Sequence, residues 1–192
     1  MISVQQATDF SNNLAARSGG ATYALDTLRT RVSFSVRHVA GRVRGVFTRA
    51  LGIVDYDPKH PEASAVHVII QASSVTTHDE TRDVRLRSSG FLDCRAFPQI
   101  GFVSTSFRRT GRKLEVTGEL TLHGVTRPVT VSVGRMRSHT APAGFVSHIS
   151  AQARALLRRS EFGVGPSSEH ELGGLLIGDE VAIELDLELV RR

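Results

Sequence analysis

The chain has 192 residues, 40% hydrophobic and 22% charged, enough for one domain with a sizeable core and too apolar for a disordered chain or a fibre. A single cysteine, Cys94, excludes an intramolecular disulfide framework and a zinc site built from cysteines. The formal net charge is +5, and it is carried mostly by arginines scattered along the chain rather than gathered in one basic run, which weighs against a dedicated nucleic-acid segment.

In chain order, Ser3–Arg17 places Val4, Ala7, Phe10 and Leu14 at steps of three and four. This predicts a short helix, opened by a Ser3-to-Gln6 capping box and closed by Gly19-Gly20. Residues 1–20 therefore read as an N-terminal extension and residues 21–192 as the main domain. From Tyr23 the period changes to two. Val32, Phe34 and Val36 share one face of Arg31–Arg37; Leu114, Val116, Leu120 and Leu122 share one face of Lys113–Leu122. Val129, Val131 and Val133 alternate with Thr130 and Ser132, and Val181, Ile183, Leu185, Leu187 and Leu189 alternate with Ala182, Glu184, Asp186 and Glu188. Less regular strands are expected at Arg42–Asp55, Ala65–Ala72, Gln99–Phe107 and Phe145–Leu157. Turn signals stand at Asp57-Pro58, Gly111, Gly124, Pro142 to Gly144 and Gly178.

Strict alternation buries one face of each strand and wets the other, as in antiparallel sheets. About eight such strands, several of them long, fit a closed antiparallel barrel better than a sandwich. One segment departs from the pattern. Thr77-His78-Asp79-Glu80 reads as a capping box, followed by helix formers with an Asp83/Arg87 pair at i,i+4. A short rim helix is expected there, anchored by Val84 and Leu86.

Catalytic signatures are missing: there is no GxSxG elbow, GxxxxGK loop, GxGxxG turn or HExxH pair. The eight histidines show no i,i+2 pairing along a strand, and Asp55-Tyr56-Asp57 before Pro58 reads as a turn. No metal site, cofactor or catalytic residue is expected. The pattern points instead to an apolar interior. Its expected lining is Val32, Phe34, Val36, Phe47, Leu51, Ile53, Phe102, Leu114, Val116, Leu120, Val131, Ile149, Ile183 and Leu185. Arg49 falls on the parity of Phe47, Leu51 and Ile53. Either a bulge turns it to water, or it stands at the mouth as a cation for an anionic or carbonyl headgroup.

Four stretches together resemble the YceI-like family, which includes polyisoprenoid-binding proteins with a lipocalin-like barrel. YALDTLRTRVSFSVRHVAGRVRGVFTRALGIVDYDP is similar to its opening strands through His38, Gly45, Phe47, Gly52 and Asp55. SSVTTHDETRDVRLRSSGFLDCRAFPQIGFVST is similar to its most distinctive segment through Thr77, Arg82, Asp83, Leu86, Phe91, Pro98 and Phe102. LTLHGVTRPVTVSV and RRSEFGVG resemble two further family motifs, and the similarity runs from about Tyr23 to Val190. Tyr23 stands where the family often has Trp, and Arg85 where it has His.

The resemblance implies that a long-chain isoprenoid, such as a polyprenyl phosphate or quinone, is bound without catalysis. Thr77, Arg82, Asp83 and Phe91 then form a structural clasp rather than a ligand contact. A homodimer is compatible with this reading. No secretion signal or membrane span is visible, so the expected compartment is the cytoplasm. Two rival readings are an oligonucleotide-binding barrel, which lacks the outward aromatics for base stacking, and an enzyme acting on a hydrophobic substrate, for which no motif speaks.

Overall fold

The computed structural model describes residues 20–38, 41–111, 113–142, 146–165 and 177–192. The expected helix at Ser3–Arg17 lies outside them. Eleven strands form one antiparallel sheet: β1 (Ala21–Leu25), β2 (Arg31–His38), β3 (Gly41–Phe47), β4 (Ala50–Tyr56), β5 (Ala65–Gln71), β6 (Val75–Thr76), β7 (Gln99–Thr110), β8 (Lys113–Leu122), β9 (Val125–Thr140), β10 (Val146–Arg158) and β11 (Ile177–Arg191). Among the described residues, one α-helix, α1 (Glu80–Arg87), lies between β6 and β7.

The sheet closes because β11 is paired along both edges. Its C-terminal part pairs β1 (Leu25 with Leu189) and its N-terminal part pairs β2 (Ile183 with Phe34), while β10 lies along its other edge. The first three staves of the barrel are broken strands: β1 with β2, β3 with β4, and β5 with β6. Counted this way the ring has eight staves, the mainly β closed antiparallel barrel that the alternation predicts, of the lipocalin-like kind that the resemblance implies.

The breaks overturn one feature of the sequence reading. Arg42–Asp55 is two strands, not one. Between them, Thr48 donates from its backbone N–H and its hydroxyl to the Ser74 carbonyl, and the Arg49 N–H donates to the Ser74 hydroxyl. This break shifts the phase by one residue. Phe47 faces inward on β3, but on β4 the inward residues are Val54 and Tyr56. Leu51 is therefore 62% exposed, and Ile53 and Arg49 also lie off the cavity wall. On β7 a bulge between Ser104 and Ser106 lets both Phe102 and Phe107 point inward.

Turn chemistry follows the local sequence. Asp57 ends β4 with its carboxylate accepting from the N–H groups of Lys59 and His60, as an Asx turn does. The β8–β9 hairpin turns on His123 and Gly124, both at positive φ (52° and 75°), the geometry of a type I′ turn.

The core cluster sits at the end of the barrel where β4 finishes and β1 begins, and contains Tyr23, Leu25, Val54, Tyr56, Phe107, Leu114, Val116, Ile149 and Leu189. Nearby, Gly118 of β8 lets β7 approach closely. A Cβ there would lie 2.5 Å from both the Phe102 ring and the Val103 carbonyl oxygen. Since the oxygen belongs to the backbone, Gly118→Ala should cost about 1–3 kcal/mol through overpacking. Thermal denaturation followed by circular dichroism should show a lower Tm with an unchanged β spectrum.

Candidate functional site

Inward-facing residues of the staves enclose a cavity of about 820 Å³, within the ~300–1,000 Å³ range of small-molecule sites. Its wall carries Val32, Phe34 and Val36 of β2, Phe47 of β3, Phe102 of β7, Leu114, Val116 and Leu120 of β8, Val131 of β9, Ile149 of β10, and Ile183 and Leu185 of β11. These are the expected lining residues apart from Leu51 and Ile53. Val54, Tyr56, Val66, Val68 and Ile70 also belong to the wall and are not singled out by the sequence pattern. On β10, Ala151, Ala153 and Ala155 keep the bore wide because their side chains stop at Cβ.

The two ends differ. At one, buried Leu25, Tyr56, Phe107 and Ile149 close the cavity. Burial is the first cause that raises the pKa of Tyr23 at this end, opposed by the nearby Arg191. At the other end the lining includes His38, Arg42, Asp79, Thr81, Arg82, Arg85 and Arg159. Arg42, Thr81 and Arg85 are exposed, so the cavity reaches the surface here. The hydrocarbon-lined bore thus ends in a cationic mouth. Arg49 is not part of it: it lies on the outer surface, donating to Gln71 at 3.2 Å. The sequence reading missed Arg42 and Arg85, which reach the mouth from a strand and a helix far apart in the chain.

Helix α1 covers part of this mouth and is tied down by a cluster of hydrogen bonds. Its N-cap is Asp79, whose carboxylate accepts from the Arg82 N–H at 3.0 Å. Thr77, expected as the cap, is committed elsewhere. Its hydroxyl donates to Asp83 Oδ1 at 2.6 Å and accepts from Arg82 Nε at 2.8 Å. Asp83 is buried and also accepts from the Thr77 N–H at 2.7 Å and the Thr76 hydroxyl at 2.8 Å. The clasp is therefore a set of hydrogen bonds that joins α1 to Thr76 and Thr77, beside the Arg82–Asp79 ion pair.

Arg87 does not close on Asp83. It donates to the carbonyls of Ser73 and Val75 and approaches Glu80 at 3.5 Å. Leu86 and Phe91 face the cavity, while Val84 is 58% exposed and anchors nothing. The Arg85 guanidinium lies 5.6 Å from the centre of the Phe91 ring, a cation–π contact at the rim. Across the mouth, Arg159 donates to the carbonyls of Val164, Ile177 and Gly178. It thereby joins the end of β10 to the start of β11. Among the described residues, no group of three His, Cys, Asp or Glu side chains converges as a metal site would.

The YceI-like domain model matches residues 23–189. The chain belongs to the YceI-like family. Protein YceI of Salmonella newport is 36% identical over 143 residues, covering 72% of this chain and 74% of that protein. Among solved structures, Burkholderia cenocepacia BcnA superposes with a TM-score of 0.76 at 24% identity, over 85% of this chain and 98% of that one. A polyisoprenoid binding domain from Saccharophagus degradans gives a TM-score of 0.67 at 16% identity, over 90% of this chain and 99% of that one. At these identities the structural likeness speaks for the fold. The family match spans the whole barrel, including the clasp and Arg159.

Burial alone would push the Asp83 carboxyl up. The hydrogen bonds from Thr77 and Thr76, helped by the nearby Arg87 charge, outweigh it and hold the pKa below the ordinary aspartate value. A depressed folded pKa stabilises the protein above the unfolded value of about 3.9, and that contribution is lost as the pH falls through the folded value. Asp83→Ala strands a buried N–H and two hydroxyls and should cost about 2–4 kcal/mol at neutral pH. Melting curves of the two proteins should converge as the pH is lowered from about 5 to below the folded pKa; a gap that stays constant would show that the carboxylate charge is not what the clasp uses.

Proposed function

We propose that this YceI-like barrel binds a long-chain isoprenoid or similar amphiphilic lipid and sequesters or carries it without altering it chemically. The observation that carries the reading is the cavity itself, a hydrocarbon-lined bore closed at one end and rimmed by arginines at the other. The tail lies along the wall, and the polar end meets Arg42 and Arg85 at the mouth. Neither arginine forms an ion pair among the described residues. The description of the Saccharophagus degradans neighbour as a polyisoprenoid binding domain supports the same ligand class.

An oligonucleotide reading is weaker on the geometry. Phe34, Phe47, Phe91, Phe102, Phe107 and Phe162 line the cavity, and Phe97 packs on His123. Among the described residues, the outer faces of the staves offer no comparable stack of rings.

Burying one methylene is worth ~0.8 kcal/mol, so each isoprene unit that enters should add about 2–4 kcal/mol before ordering costs. Native mass spectrometry of the purified protein, followed by organic extraction, should reveal a co-purifying lipid. In titrations with isoprenoids of increasing length, affinity should climb and then level off when the bore is full. The double substitution Arg42→Gln with Arg85→Gln should weaken a prenyl phosphate on the order of tenfold more than a quinone of equal length. Arg49→Ala should leave both unchanged. Affinity that ignores chain length would refute the reading.

A further inference from the structure

The outer face of the β2–β3 hairpin carries a cluster of like charges that no described carboxylate neutralises. In this hairpin Arg37 lies directly opposite Arg42, and Arg44 lies opposite Ser35, one pair further along the same face. All three arginines are exposed. Like charges directly opposite each other destabilise a sheet, yet none of the three meets a carboxylate within ion-pair distance among the described residues. Arg42 has only a weak contact to the Ser35 hydroxyl, at 3.3 Å.

Among the described residues, several carboxylates of this end are committed elsewhere. Asp79 pairs with Arg82 and Glu80 with Arg87, Asp83 is buried in the clasp, and Asp179 accepts from Ser160. Glu180 lies opposite Arg158 in the β10–β11 ladder. The strand ends of the hairpin also border the cavity mouth, where His38, Gly41, Arg42 and Val43 join the lining. Exposed Val84 on α1 adds an apolar side chain at the same end.

We propose that this mouth-side face docks on a bilayer containing anionic phospholipid, with Arg37, Arg42 and Arg44 against the phosphates and the cavity opening toward the acyl chains. The proposal rests on the lipid-binding reading, because a hydrocarbon cargo has almost no free concentration in water and must enter from a phase that dissolves it. Charge complementarity selects the surface. Its three guanidiniums, without an ion pair among the described residues, present a fork geometry that matches phosphate oxygens. Set around an apolar opening, they hold the mouth where the cargo is soluble.

The test is sedimentation of the full chain with vesicles of phosphatidylcholine alone and of phosphatidylcholine with phosphatidylglycerol. Binding should require the anionic lipid and be released near 1 M salt, where the screening length falls to about 3 Å. Arg37 and Arg44 do not line the cavity, so the variant Arg37→Gln with Arg44→Gln should retain a prenyl chain presented in detergent. Its partitioning onto anionic vesicles should fall on the order of 25-fold, about fivefold per arginine. The control is Arg135→Gln with Arg137→Gln on exposed positions of β9 near the opposite end of the barrel, with the same charge change, and it should bind vesicles nearly as well as the native chain.

Equal binding to neutral and anionic vesicles, no binding to either, or equal losses from the two double variants would each overturn the proposal. Failure to load lipid in detergent, with vesicle binding intact, would instead sink the ligand reading. Circular dichroism melting of each variant separates loss of the surface from loss of the fold.

Discussion

A ring of eight staves whose inward side chains are mostly Val, Leu, Ile and Ala cannot fill its own axis, and much of the structure follows from that shortfall. An apolar void costs about 24 cal/mol per Å³ where the surroundings cannot collapse. At about 820 Å³, a permanently dry and empty interior would cost on the order of 20 kcal/mol. That exceeds the ~5–15 kcal/mol by which a domain is stable. The interior must therefore communicate with solvent or with a ligand, and the fold supplies one route for this. Hydrogen-bonded strands hold the wall open, so the ladder carries a load that side-chain packing carries in a filled barrel.

The ends of the ring divide the remaining work. At the closed end, Tyr23, Tyr56, Phe107 and Ile149 bring the bulk needed to reach the axis and form the densest part of the core. At the open end Val75, Phe91, Leu92 and Phe162 are buried around the rim, and polar contacts hold the backbone that carries them. Asp83 draws Thr76 and Thr77 onto α1, and Arg159 bridges the carbonyls on both sides of the β10–β11 connection. Both devices fix backbone around an opening without filling it. A hydrophobic patch would do this less well, since it would collapse into the bore it is meant to frame.

Much of this was legible in the sequence wherever strands were unbroken. In β2, β8 and β11 the alternation runs without interruption, so parity alone assigned Phe34, Val116 and Leu185 to the interior. It failed between β3 and β4. There Phe47, Arg49, Leu51 and Ile53 occupy consecutive odd positions that look like one strand, while the chain actually shifts phase at Thr48-Arg49. The shift is produced by Ser74, a residue 25 positions away from Arg49 along the chain, and no local pattern could announce it. The clasp was legible as a set of residues but not as a geometry. Thr77 and Asp79 both suit a helix N-cap, and the choice falls to Asp79 because the Thr77 hydroxyl is already held by Asp83 and Arg82. Arg42 and Arg85 escaped notice for a similar reason: they come to one mouth because β6, which leads into α1, pairs with β3.

The closed end has one more property, which concerns light rather than binding. The chain contains no tryptophan and 2 tyrosines, and both Tyr23 and Tyr56 are buried at the floor of the barrel. Ultraviolet emission from the folded protein therefore originates at the deepest point of the bore, with no indole elsewhere to mask it. Tyr56 lines the cavity directly, so a conjugated polyene chain that reaches the floor would quench this emission more strongly than one that stops near the rim. The protein thus contains its own depth gauge, readable in a cuvette without any label.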